Sequence, residues 1–425
     1  MTVCSKLKKR KCSVSCQWIR RKGCRNICPQ GSELNVITDR CKRKSGYKSK
    51  SSSDTKPVNV RLIDSGSYGC VITPPISGNK YLLEKYIEYK DRNKDDVGKL
   101  FIRGKKTFTE ELNILKKIQD IDPHGMFTVK LKGASKINKI SLKNSRNVIS
   151  CLNGEKNNYF QIILENGGVE CRESPNISYN KFLKMFHQFI KGMVILQNNN
   201  MVHGDIKPNN VLVSNNKISL IDFGLSVYSN KVYIKNNIST LLHKYKYYPP
   251  EFMIAGFMIY NSKILDQNNE KFMETLNDIE SISEKYGLFR QSYLYKNDSM
   301  AQKYRQGLRE FAETIKLKGF KKVKQIFTTK LALKVDVFSL AFIISSLNKR
   351  IIYTSDRQKQ FVTFIHDRCF KVNPFERISM VNLYNIVSKE LEHIKNKKVV
   401  GGYDDVKSSH IDDISDSENY PTPQK

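Results

Sequence analysis

Residues 201–213 read MVHGDIKPNNVLV, two short apolar runs around a polar loop. His203, Asp205, Lys207 and Asn210 fall within eight residues, punctuated by Gly204 and Pro208. The pattern predicts strand, loop, strand, with more polar groups than packing needs. Working outward, residues 218–227, ISLIDFGLSV, form an apolar strand that ends at Asp222 and is followed by Phe-Gly. The two stretches supply two carboxylates, an ammonium and an amide, the inventory for magnesium-dependent phosphoryl transfer. A hard cation takes oxygen ligands, which Asn210 and Asp222 offer. Asp205 can accept the proton of an attacking hydroxyl, and Lys207 can neutralise charge on the moving phosphoryl group.

Upstream, residues 62–71, LIDSGSYGCV, predict a strand, a turn and a returning strand. Gly66 and Gly69 let the backbone approach phosphate oxygens, Ser67 and Tyr68 form the turn, and Val71 opens the return. Two glycines alone describe any hairpin. Their place ahead of the polar loop and of Asp222-Phe223-Gly224 is what gives them weight.

In this order the motifs resemble those of eukaryotic-type serine/threonine protein kinases, over about residues 58–397. The resemblance implies an α+β, bilobal fold with a small β-rich lobe and a large helical one, and implies ATP with Mg2+ (or Mn2+) as cofactors. His203, Asp205 and Asn210 match His-x-Asp-x-x-x-x-Asn, and Lys207 takes the place usual in the serine/threonine branch. It implies Asp205 and Lys207 as catalytic, and Asn210 and Asp222 as metal ligands. Gly66, Ser67, Tyr68, Gly69 and Val71 would cover the phosphates. Residues 107–118, TFTEELNILKKI, resemble the regulatory helix, with Glu111 as its ion-pairing acid. Its lysine partner is expected at Lys85 in YLLEKYIE, with Lys80 and Lys90 as alternatives. IILENGG reads as the hinge, with Leu164 as gatekeeper and Glu165 to Gly167 lining the adenine. Glu251 of PPE is expected to pair with Arg377, and Asp336 to anchor the helix KVDVFSLA, where Phe338 stands in a tryptophan's place.

Three departures from the family pattern stand out. Asp64 replaces the first glycine of the phosphate loop. Gly204 replaces the arginine that usually precedes the catalytic aspartate and reads an activation-loop phosphate, so activity independent of phosphorylation at Ser239 or Thr240 is expected. Between Glu251 and Asp336 lie 84 residues, an insert of helical pattern over about 252–330 that either recruits substrate or simply decorates the lobe.

Composition organises the rest. The 425-residue chain carries a net charge of +32, which attracts polyanions and acidic partners without deciding a fold. Residues 1–56 hold sixteen Lys or Arg against three acids, and residues 401–425 hold six acids against two lysines. Four segments follow: a basic, cysteine-bearing arm and linker (1–56), a small lobe (57–165), a large lobe (166–397) and an acidic tail too polar to bury a core (398–425). The apolar run FSLAFIISSL is too short to span a membrane and reads as a buried helix. With no signal-peptide core, the expectation is a protein that is not secreted, in a reducing compartment.

Six of the ten cysteines lie in the first 41 residues. Their C-x3-C spacing admits a structural zinc, though unliganded thiols or a redox pair are the favoured reading. Cys70, Cys151, Cys171 and Cys369 read as small apolar or surface thiols. The HGDIK wording is similar to that of vaccinia-related kinases. CPQGSELNVITDRCKRKSG resembles the two-cysteine adaptor segment on kinases and proteases of large nucleocytoplasmic DNA viruses (iridovirus- and mimivirus-like). Cys28, Pro29, Gly31, Asn35, Thr38, Arg40 and Cys41 match it. That resemblance implies viral or host protein substrates, an adaptor target for residues 28–41, and a host cytoplasmic or nuclear location with packaging into virions. Two other function classes remain open: a pseudokinase scaffold, on the strength of Asp64, and nucleic-acid tethering through KLKKRK and RCKRK, which salt-dependent binding would reveal.

Overall fold

The computed structural model describes residues 60–66, 69–76, 87–89, 93–102, 104–138, 142, 145–152, 158–228, 249, 251, 270, 274, 298–318, 322, 325–326 and 331–400, with four short strands nearer the N-terminus. The chain divides into two units, Met1–Asn59 and Val60–Lys425. In the first unit, β1 (Cys16–Ile19) pairs antiparallel with β2 (Gly23–Asn26). β3 (Ser32–Asn35) pairs in the same sense with β4 (Arg40–Arg43). The adaptor-like segment therefore contains one of these two hairpins. Cys4, Cys12 and Cys28 lie outside the described residues.

The second unit begins with a five-stranded antiparallel sheet. Its strands are β5 (Arg61–Gly66), β6 (Gly69–Thr73), β7 (Val97–Phe101), β8 (Leu131–Asn138) and β9 (Asn158–Leu164). They lie side by side in the order β5-β6-β7-β9-β8. Alternation along β6 and β7 buries Cys70, Ile72 and Leu100 on one side of the sheet. Helix α1 (Lys105–Ile121) closes the other side, burying Phe108, Leu112, Leu115 and Ile118 at helical spacing. Phe108 meets Phe101 edge-on and stacks on Phe160, which locks α1 against β7 and β9.

A second, smaller cluster fills the sheet's opposite face and includes α2 (Arg146–Cys151). Here the structure corrects one expectation. Cys70 and Cys151 are not separate thiols: they are joined in a disulfide across 81 residues. Packing explains the juxtaposition, since both residues belong to the same hydrophobic cluster. Cys171 and Cys369 do remain free and buried, and burial pushes the Cys171 thiol up to about 12.

After the sheet, three two-residue strands, β10 (Val169–Glu170), β11 (Ile177–Ser178) and β12 (Met201–Val202), bracket α3 (Tyr179–Asn198). β13 (Val211–Val213) and β14 (Ile218–Leu220) make an antiparallel hairpin beside β10. β15 (Val227–Tyr228) pairs antiparallel with β12. The remaining elements are α4 (Asp298–Lys318), α5 (Val335–Asn348), β16 (Ile351–Ile352), α6 (Asp356–Cys369) and α7 (Met380–Val400). α5 contains the expected apolar run and is buried nearly all round, as a helix at the centre of a domain must be. No described helix is long and apolar enough to cross a membrane.

Within the insert, the second half of the helical expectation is realised as α4. Its Leu308, Phe311 and Ile315 are buried, and Phe311 rests 6.0 Å from the ring of Phe375. The first half, apart from Glu270 and Glu274, lies outside the described residues, as do Ser239, Thr240 and residues 401–425.

Candidate active site

The polar loop of residues 203–210 sits between β12 and β13 and is held from beneath by one buried carboxylate. Asp336, fully buried at the start of α5, accepts the backbone N–H of His203 at 2.8 Å and that of Gly204 at 2.9 Å. Burial pushes the Asp336 carboxyl up, while His203 and the two N–H donors pull it back. Gly204 has φ +73°, a left-handed conformation that costs a side-chain-bearing residue and leaves glycine unstrained. His203 bonds the carbonyl of Ile221 through Nε2, at 3.1 Å, and meets the buried ring of Phe223 edge-on at 4.8 Å. Its Nδ1 accepts the N–H of Asp205. His203 thus braces the loop through these three contacts, and its side chain is buried.

Above this brace the reactive groups converge. Lys207 Nζ lies 2.9 Å from Asp205 Oδ2. Asn210 Nδ2 donates to the Asp205 carbonyl and to Asp205 Oδ2, both at 2.9 Å. Ile221 N donates to Asn210 O, so the loop and the Asp222 strand are tied together. Asp222 itself is left-handed, φ 61°, and its Oδ1 receives a bond of 2.9 Å from Lys99 Nζ.

Lys99 is the residue that the sequence reading missed. It projects from β7, and its Nζ also lies 2.7 Å from Glu111 Oε1 of α1. Burial alone would lower its pKa, but the two carboxylates more than reverse that and hold the ammonium charged. Burial pushes Glu111 up, with Lys99 opposing. For Asp222 burial also pushes upward, but Lys99 outweighs it and the carboxyl stays below its ordinary range. Lys85, expected in this place, lies outside the described residues, as do Lys80 and Lys90. Spacing accounts for the difference: the chain between β6 and β7 runs from Pro74 to Asp96, and YLLEKYIE is the first strand-like run inside it. The available signal was weak: VGKLF is a short run that three residues separate from α1, with a single lysine and no strict apolar–polar alternation.

The phosphate-loop residues are placed by β5 and β6, whose register brings Gly66 opposite Gly69. A Cβ on Gly69 would collide with the carbonyl of Leu100 on β7, so only glycine fits between these strands. Val71 lies in β6, opposite Lys99 across the β6–β7 ladder. Ser67 and Tyr68 lie outside the described residues. Asp64 is exposed, and its Oδ1 accepts the N–H of Ser65 at 2.7 Å, so the carboxylate is turned onto its own backbone. At the far end of the sheet, Leu164 closes β9, and Glu165 and Gly167 begin the link to the helical part. Glu165 N donates to Lys130 O at 2.9 Å.

Residues 58–387 match the family model for the protein kinase domain. The chain belongs to the protein kinase domain family. Its mixed architecture, a sheet-based lobe followed by a helical one, is that of a kinase fold. Among individual relatives, a Dictyostelium discoideum protein bearing the name of a cyclin-dependent serine/threonine-protein kinase is 27% identical over 194 residues, 43% of this chain. Serine/threonine-protein kinase CAK1 of Saccharomyces cerevisiae is 40% identical over 50 residues, 10% of this chain. The matched regions cover 27% and 14% of those relatives' own lengths.

The kinase-type scaffold extends to the expected Glu251–Arg377 pair. The guanidinium grips both carboxylate oxygens, at 2.5 and 3.0 Å, and neither side chain is exposed. Arg377 also donates to the carbonyls of Lys334 and Lys371 and lies 4.9 Å from the Phe338 ring. Among the described residues, no cluster of three or more His, Cys, Asp and Glu could hold a metal. A kinase-type ion needs fewer protein ligands, and Asn210 with Asp222 suits it. Asp205 engages the Asn210 amide nitrogen, which leaves the amide oxygen as the ligand atom, and Asp222 remains ionised. Two hard oxygen donors fit Mg2+, which completes its shell with water and phosphate oxygens.

Proposed function

We propose that this chain is an ATP-dependent serine/threonine protein kinase. The observation that carries the reading is Lys99 Nζ bonded at once to Glu111 and Asp222, beside a loop in which Asp205 engages both Lys207 and Asn210. In this reading Lys99 holds the α- and β-phosphates, and Glu111 fixes where Lys99 points. The backbone of Glu165 to Gly167, with Leu164, receives the adenine, and Gly66 to Val71 covers the phosphates. Bound at Asn210 and Asp222, Mg2+ would neutralise phosphate charge. Asp205 accepts the proton of a seryl or threonyl hydroxyl, and Lys207 offsets charge on the transferred group.

Activity without activation-loop phosphorylation belongs to the same proposal. Gly204 offers no guanidinium to a phosphate, yet α1 already has Glu111 on Lys99 and Phe223 is buried against His203. Tyr228, six residues after Asp222, accepts a bond of 2.8 Å from Lys117 of α1, which ties the start of the activation segment to the helix. We further read the chain as a product of a large DNA virus, acting on viral or host proteins in the cytoplasm or nucleus, with residues 28–41 engaging an adaptor target. The CPQGSELNVITDRC stretch supports this.

The test is transfer of label from γ-labelled ATP to casein, to a basic protein and to the chain itself, before and after phosphatase treatment. Expected is transfer that survives phosphatase and vanishes in Asp205→Asn. Label-free protein that nonetheless binds ATP would sink the kinase reading. Loss of transfer on phosphatase treatment would sink only its phosphorylation-independent part.

A further inference from the structure

One lysine outside the motifs joins three parts of the nucleotide site. Lys217 sits at the turn of the β13–β14 hairpin, where its carbonyl accepts Ser214 N. Its Nζ donates to the carbonyl of Gly125 at 3.1 Å and to that of Thr128 at 3.2 Å. It also lies 3.6 Å from Glu165 Oε2. Both carbonyls belong to the connection between α1 and β8. That connection is itself rigid, because Asp122 gathers the N–H groups of Met126, Phe127 and Thr128 and the Thr128 hydroxyl. Leu220 N donates to Phe127 O at 2.8 Å, so the hairpin meets this connection at a second point. Glu165 is the first residue after β9, and its Oε2 also accepts Lys130 N at 3.3 Å.

The same hairpin carries the metal ligands at its other end, with Asn210 just before β13 and Asp222 two residues after β14. A nucleotide would span this distance, its base against residues 165–167 and its phosphates at Asn210 and Asp222. An ammonium that bonds two carbonyls makes charge-assisted hydrogen bonds, which are stronger than neutral ones. The Glu165 contact is longer and half-exposed, and contributes less. Without Lys217, what joins the hairpin to the α1–β8 connection among the described residues is the Thr128–Leu220 bridge, with its Leu220 N to Phe127 O bond, and apolar packing.

We propose that Lys217 is a positioning residue that fixes the metal-bearing hairpin to the hinge and to the α1–β8 connection, and so sets affinity for ATP. Its Nζ partners are the Gly125 and Thr128 carbonyls and the Glu165 carboxylate. The inference rests on the kinase reading above and requires the nucleotide to lie in this cleft.

The test compares the full-length wild type with Lys217→Met and Lys217→Arg. MgATP titrations and steady-state kinetics give the dissociation constant, KM for ATP and kcat, and thermal melts report folding. Lys217→Met should raise the dissociation constant and KM about tenfold, the equivalent of one charge-assisted bond, with kcat within about twofold. Lys217→Arg should recover most of the loss. Equal ATP affinity in wild type and Lys217→Met, with only a lower melting temperature, overturns the inference. Tighter ATP binding in Lys217→Met also overturns it, because the contact would then restrain closure. If Lys217→Met fails to fold, Lys217→Gln takes its place: a rise of about tenfold in the dissociation constant supports the inference, and an unchanged constant overturns it. Wild type that binds MgATP but transfers nothing overturns the kinase reading alone, since the affinity comparison still decides this one.

Discussion

Two ion pairs, Glu251–Arg377 and Lys99–Glu111, show what burial does to the same chemistry. The first is wholly buried and bidentate, and its guanidinium also donates to the carbonyls of Lys371 and Lys334. The second borders the cleft, with Lys99 partly exposed and divided between Glu111 and Asp222. A sealed pair with all its partners cannot exchange them, and serves as a pin between Glu251 and the segment ahead of α7. A pair at the cleft can be shared with phosphate oxygens, and its acid rides on a helix that the rest of the small lobe holds through apolar contacts. One pair holds the fold together; the other is available to a ligand.

Breaking the sealed pair should have the largest effect on stability. Arg377→Met leaves a buried, uncompensated carboxylate at Glu251 and should cost about 3–5 kcal/mol, read from chemical denaturation. An unchanged midpoint would mean that the pair is not closed in solution. Replacing both partners, Glu251→Leu with Arg377→Met, removes the orphaned charge and should recover much of that loss, because apolar pairs of similar volume often match buried ion pairs. A double variant no better than Arg377→Met would show that the donors to Lys334 and Lys371 matter more than the charge.

The cleft pair should behave the other way round. Glu111→Gln should cost less stability than Arg377→Met, because Lys99 keeps Asp222 as a charged partner and the amide removes the charge that burial of Glu111 disfavours. Activity in ATP-limited assays should nevertheless fall about tenfold or more, the value of one oriented charge-assisted contact.

The smallest effect is on the pH dependence, where two acids that share Lys99 have opposite signs. Asp222 lies below its ordinary range when folded, so its contribution is present above that range and fades as pH falls through it. Glu111 lies above its ordinary value, so its contribution is present at low pH and is lost as pH rises through the raised value. Denaturation midpoints across the acidic range should therefore decline less steeply on acidification for Asp222→Asn than for wild type, and more steeply for Glu111→Gln. Identical slopes in all three proteins would contradict this assignment.

How far the sequence reveals each pair follows from what surrounds it. Glu251, Arg377, Asp336 and the loop from His203 to Asn210 were legible because each lies inside a short motif whose internal spacing the backbone dictates. Asp222 was legible for the same reason, and so was Glu111, which heads an amphipathic run. Lys99 was not. It stands alone in a five-residue strand behind a long connection, and a strand lysine has no periodicity that separates it from other lysines in so basic a chain. The Cys70–Cys151 bond was equally hidden, since 81 residues separate partners that meet only when β6 and α2 pack together. Lys217 belongs to the same class, because its role depends on carbonyls contributed by a distant connection.

The most direct test of the account sets Lys99→Met beside Lys85→Met in a single ATP-dependent phosphotransfer assay at matched, folded concentrations. Lys99→Met should lose about 10²–10³-fold in kcat/KM, the usual cost of removing one preorganised donor from developing charge, while Lys85→Met stays close to wild type. Full activity in Lys99→Met, with the loss falling on Lys85→Met instead, would contradict it.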